Sequence, residues 1–182
     1  MQNTPLWDGS IEVEVPSNYG NAANVRDVPD TQEVFLSIEG DKSIIFELLT
    51  LTEEVADRDA AQFYFQDLAE ANDAQNHSQV LSVNVLTDND MPHMPGVYKT
   101  MIVGRQAISK YKESARNIVD VYMCIIRLRE QTTDIVITLN DPQVIHPESS
   151  SAPNAPQTAS PSMLIFQHML KTFNMKSLSL FG

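Results

Sequence analysis

Four runs rich in apolar and β-branched residues follow one another between Gln79 and Leu139: Gln79–Thr87, Val97–Ser109, Asn117–Arg129 and Asp134–Leu139. Parallel neighbours need a crossover of about a dozen residues or more, so runs joined this tightly form an antiparallel meander. The first connection, Asp88–Gly96, carries Pro92, Pro95 and Gly96 and reads as loop. Gly104 interrupts the second run where a bulge suits glycine. In the third, Val119, Val121, Met123, Ile125 and Leu128 are assigned to one face.

Upstream, Ile11–Val15 alternates apolar and polar, the period of a half-buried strand, and Pro16 ends it. Asn18–Pro29 reads as loop with at most a short helical turn. Residues 33–37 and 43–51, separated by the turn Glu39–Lys42, read as a hairpin, although period alone does not separate strand from helix in the second run. Ala61, Tyr64, Phe65, Leu68 and Ala71 form one helical stripe, predicting a helix over 57–72. Met163, Phe166, Gln167, Leu170 and Phe173 form another, over 162–174. Residues 146–162, rich in proline and serine, read as a flexible loop. The sum is an α+β domain spanning 1–182, an antiparallel sheet of about six or seven strands covered by helices. Its predicted core is Phe35, Ile44, Phe46, Phe65, Leu68, Val121, Met123, Ile125, Ile137 and Phe166.

Charge narrows the function. Lys and Arg number 12 against 24 Asp and Glu, a net of −12. That opposes binding to nucleic acid or to an anionic membrane surface. The excess is local: Asp27–Asp90 holds 15 acids against only Lys42 and Arg58. It reads either as a solvated face or as a patch that steers a basic protein partner. Cys124 is the only cysteine, which fits a reducing compartment, and Met1–Ser10 lacks the features of a secretory signal, so an intracellular protein is expected. With no coiled-coil pattern and no long exposed apolar stripe in view, a monomer is expected.

Composition and pattern favour a binding module over an enzyme, with no catalytic residue, no cofactor and no metal expected. Neither glycine-rich phosphate motif is present. His77, His93, His146 and His168 lack metal-ligand spacing. Asp88-Asn89-Asp90 lacks the glycine and closing glutamate of a calcium loop. Cys124 lies in an apolar run and reads as core. Met91 and Met94, in a proline-rich loop, read as a slightly exposed apolar pair.

A set of motifs spread in order along the chain points further. Leu6-Trp7-Asp8-Gly9-Ser10-Ile11, then Val25-Arg26-Asp27-Val28-Pro29-Asp30-Thr31-Gln32-Glu33-Val34-Phe35, resembles the signature of the Ran guanine-nucleotide release factor family. The second motif is met in full. The first departs from the family's Leu-[Phe/Tyr]-Gly-Gly-Ala at Trp7-Asp8 and Ser10. Ser43–Leu49, Phe65–Leu68, Gly104–Ile108, Ile126–Leu128 with Thr133–Pro142, and Leu180-Phe181-Gly182 resemble further family motifs, with Thr50 in place of an acid.

The resemblance implies a PsbP-like α/β/α sandwich that binds the small GTPase Ran, promotes release of its nucleotide and supports nuclear import, in nucleus and cytoplasm. An acidic scaffold for another basic protein is the alternative. Pro29, Asp30, Gln32, Glu33 and Glu47 fall on family motif positions. With Arg26 and Asp27 they are the expected partner-binding surface, since a loop anchored by proline presents carboxylates rigidly. A structural role stands beside this one: Asp30 capping a turn, Gln32 bonding backbone.

Overall fold

The computed structural model describes residues 1–109, 116–144 and 162–181. In chain order the elements are β1 (Gln2–Leu6), β2 (Ile11–Val15), β3 (Tyr19–Asn21), β4 (Gln32–Ser37), β5 (Ser43–Thr50), α1 (Asp57–Ala71), β6 (Ser78–Val85), β7 (Tyr98–Ser109), β8 (Arg116–Leu128), β9 (Thr133–Val144), α2 (Ser162–Thr172) and β10 (Asn174–Met175). Seven strands form one sheet in the order β3-β4-β5-β9-β8-β7-β6, and every pairing in it is antiparallel. The expected meander is the β6–β9 half, and the expected hairpin, β4–β5, joins it by laying β5 along β9. The proline- and serine-rich loop expected over 146–162 lies outside the described residues as far as position 161.

Pleating sends alternate side chains to two cores. On one face Ala60, Ala61, Tyr64 and Phe65 of α1 pack on Ile102, Val119, Val121, Met123, Ile125 and Val136. On the other, Phe35, Phe46, Cys124 and Ile137 meet Phe166, Met169 and Leu170 of α2 and the apolar side of β2. The second face also carries a small sheet, β1-β2-β10. The sequence offers little sign of its outer strands. β1 is mostly polar with Pro5 in its run and is held by pairing to β2 and by buried Leu6, and β10 is too short for periodicity to register, as is β3 at the edge of the large sheet.

Nine of the ten predicted core residues are buried. Leu68 is half-buried at the margin of the α1 core, one turn before the helix ends. Leu128 turns to the α2 face, because the three-residue step from Ile125 breaks the two-residue period. Met91 and Met94 are not exposed: both are buried in the α2-side core, Met91 with its Sδ 3.9 Å from Cys124 Sγ. What draws them in is Lys99, itself buried, whose ammonium donates to Asp88 Oδ1 (2.6 Å), Met94 O (2.8 Å) and Val97 O (3.1 Å) and folds the 88–97 loop around itself.

The bulge expected at Gly104 sits across the ladder, between Val80 and Ser82 of β6. Gly104 is needed for a different reason. A Cβ there would overlap the Phe65 ring and stand 2.9 Å from Gln79 O. Gly104→Ala is expected to cost about 1–3 kcal/mol by overpacking, seen as a lower midpoint in denaturant. An unchanged midpoint would show that Phe65 moves aside freely. At the sheet edge, β6 leaves Val80, Leu81, Val83 and Val85 exposed, so the ground on which a monomer was expected does not hold there.

Candidate partner-binding site

Asn21 ends β3 and caps the single turn Ala22–Asn24, its Oδ1 accepting from Ala23 N at 2.8 Å. Arg26 N–H donates to Ala22 O at 3.0 Å, and Gln32 N–H closes the next turn onto Pro29 O at 2.8 Å. Between them Arg26, Asp27, Pro29 and Asp30 stand exposed on one loop. Val25, at the head of the same loop, is 81 % exposed. An apolar residue in a loop gives no periodic signal, so sequence reasoning passes over it.

The strand that follows divides the remaining residues. Gln32 lies directly opposite Glu47, and its Nε2 donates to Glu47 Oε1 at 2.6 Å on the face that α1 covers. Burial pushes the Glu47 carboxyl above its ordinary range; the Gln32 hydrogen bond opposes this and the charge of Asp67 on α1 adds to it. Glu33 pairs with Phe46 and turns to the opposite face, where its carboxylate accepts from Trp7 N–H (2.9 Å) and Asn21 Nδ2 (3.4 Å). The seven expected residues are therefore contiguous around the start of β4 but do not share one face. Arg26, Asp27, Pro29 and Asp30 present outward, Gln32 and Glu47 hold each other, and Glu33 is engaged within the fold. Asp67 is the acid that sequence reasoning left out of the site. Its only sequence signal is its place in the Phe65–Leu68 motif.

The Glu47 environment has a measurable sign. A carboxyl raised in the folded state opposes folding once pH rises through its unfolded value, near 4.3. Glu47→Gln keeps an acceptor for Gln32 and removes that charge. It is expected to raise the melting temperature at pH 7 by about 1–3 °C, with the gain gone by pH 4. A lower melting temperature at pH 7 would show the charge to be stabilising.

The loop carries the exposed carboxylates of Asp27 and Asp30, an acidic surface of the kind that basic protein partners meet, and the fold is an α/β/α sandwich. The chain belongs to the Mog1 family: the family described as "Ran-interacting Mog1 protein" matches residues 4–142. A zebrafish (Danio rerio) protein named Ran guanine nucleotide release factor is 34 % identical over 180 residues, covering 98 % of both chains. A Dictyostelium discoideum protein named probable Ran guanine nucleotide release factor is 31 % identical over 190 residues, covering 100 % of this chain and 96 % of its own. The crystal structure of the Saccharomyces cerevisiae Ran-binding protein Mog1p superposes with a TM-score of 0.75 at 27 % identity, covering 100 % of this chain and 98 % of that one.

Proposed function

We propose that this protein binds the small GTPase Ran and promotes release of its guanine nucleotide, supporting nuclear protein import in nucleus and cytoplasm. It acts by binding and makes or breaks no covalent bond itself. The observation that carries the reading is the outward loop with Asp27 and Asp30 exposed, set within a chain of net charge −12. Charge of this sign draws a basic surface to one place and raises the rate of productive encounter. The full contact surface is proposed to be Arg26, Asp27, Pro29, Asp30, Gln32, Glu33 and Glu47, with Val25 and Asp67 at its borders.

Exchange follows from linkage. A protein that binds nucleotide-free Ran more tightly than loaded Ran weakens nucleotide affinity by the same factor, since the coupling free energy is reciprocal. Calorimetric titration of this protein into nucleotide-free and GDP-loaded Ran tests the reading. Affinity is expected to be at least tenfold higher for the empty form, a coupling of about 1.4 kcal/mol. Equal affinities would leave a Ran-binding protein that does not act on the nucleotide.

A further inference from the structure

We infer that Trp7 is the positioning residue of the acidic loop, an inference that rests on the Ran-binding reading of that loop. Trp7, Asp8 and Gly9 take three successive positive φ angles, 44°, 55° and 84°. Glycine adopts this region freely. A tryptophan there is an outlier that persists only where its surroundings hold it. Those surroundings are the candidate site.

The main-chain N–H of Trp7 donates to Glu33 Oε1 at 2.9 Å, and its indole N–H donates to the Asp30 carbonyl at 2.9 Å. The second Glu33 oxygen takes Asn21 Nδ2, whose amide also caps the turn leading into Arg26. One residue thus holds the far end of the loop directly and the near end through Glu33 and Asn21. Trp7 follows β1, in the small sheet, while Glu33 belongs to β4 in the large one and Asp30 lies just before it. The tryptophan therefore clasps the two sheets together at the loop, its ring half-buried against the α2-side core. The division of labour follows: Glu33 is held within the fold, Asp30 has its own carbonyl fixed and its carboxylate free to face a partner, and Trp7 sets where that carboxylate stands. A phenylalanine at this position would keep the ring and lose the donor to Asp30.

Trp7 is the only tryptophan, so the protein gives a single indole ¹⁵N–¹H resonance. The test compares wild type, Trp7→Phe and Asp30→Lys by Ran titration, thermal melting and NMR. Trp7→Phe is expected to lower Ran affinity about five- to tenfold, the worth of one hydrogen bond, while the melting temperature stays within about 2 °C. The amide resonances of Asp27, Val28 and Asp30–Glu33 should shift in free Trp7→Phe while those of β7 and β8 stay in place. The wild-type indole resonance should move when Ran is added. If wild type binds, Asp30→Lys does not and Trp7→Phe binds within twofold of wild type, the positioning role is overturned and the Ran surface stands. If wild type does not bind Ran, both fall. Should Trp7→Phe melt far lower than wild type, the wild-type indole resonance decides: movement at saturating Ran supports the role, and an unmoved resonance overturns it.

Discussion

Replacing Arg127 with methionine is expected to lower the free energy of unfolding by about 3–5 kcal/mol, which for a domain of this size is a fall in melting temperature on the order of 10 °C. Arg127 is buried on β8, facing buried Asp134 across the β8–β9 ladder. Its Nε lies 3.1 Å from Asp134 Oδ1, its Nη1 3.1 Å from Asp57 Oδ1, and its Nη2 2.8 Å from Thr52 O. Tyr64 completes the network, donating to Asp134 Oδ2 at 2.7 Å, and burial, reinforced by that bond, pushes its phenol up to about 12. Methionine fills the space but leaves Asp134 as a buried carboxylate with one neutral donor and takes the guanidinium away from the Thr52 and Val55 carbonyls, of which Thr52 O keeps the Val55 N–H. Most of the cost is that unpaired charge, so Arg127→Met/Asp134→Leu should recover a large part of it. Chemical denaturation of the two variants measures both effects. A single variant within 1 kcal/mol of wild type would mean that the network does not hold α1 to the sheet.

The second large effect is on binding. Asp27→Lys/Asp30→Lys reverses two exposed charges on the loop and is expected to weaken Ran binding by about 10- to 100-fold at low salt, chiefly through a slower on-rate. The melting temperature should stay within about 2 °C, because both side chains are exposed. Glu47→Lys is the poorer test, since the half-buried Glu47 is hydrogen-bonded to Gln32 and a lysine there would lose stability as well as affinity. The double reversal binding Ran within twofold of wild type at low salt would move the surface elsewhere.

The parts of the fold visible in the sequence are those where one face of an element is buried. Ile11–Val15 alternates because its odd positions enter the core, and the α1 stripe shows because Ala61, Tyr64 and Phe65 lie on the sheet. Periodicity needs several turns of alternation to register, and β1, β3 and β10 each set a single apolar side chain, Leu6, Tyr19 and Met175, in or against the core, so they leave little trace. It also misjudges Met91 and Met94, because no local pattern announces that Lys99, several residues on, will gather their loop around its ammonium. The site behaves in the same way. The acidic loop was legible from composition and motif, whereas the split of Gln32 and Glu33 to opposite faces follows from where the ladder begins. The engagement of Glu33 by Trp7 joins residues 26 positions apart, through a turn whose φ angles no sequence pattern gives.

Release of a fluorescent GDP analogue from Ran, followed in excess unlabelled nucleotide, brings the loop and the exchange function into one experiment. Wild-type protein should accelerate release in a concentration-dependent way, and Asp27→Lys/Asp30→Lys at equal concentration should leave the rate close to that of Ran alone. Release unaffected by wild-type protein at saturating concentration, or accelerated equally by the doubly reversed variant, would contradict it.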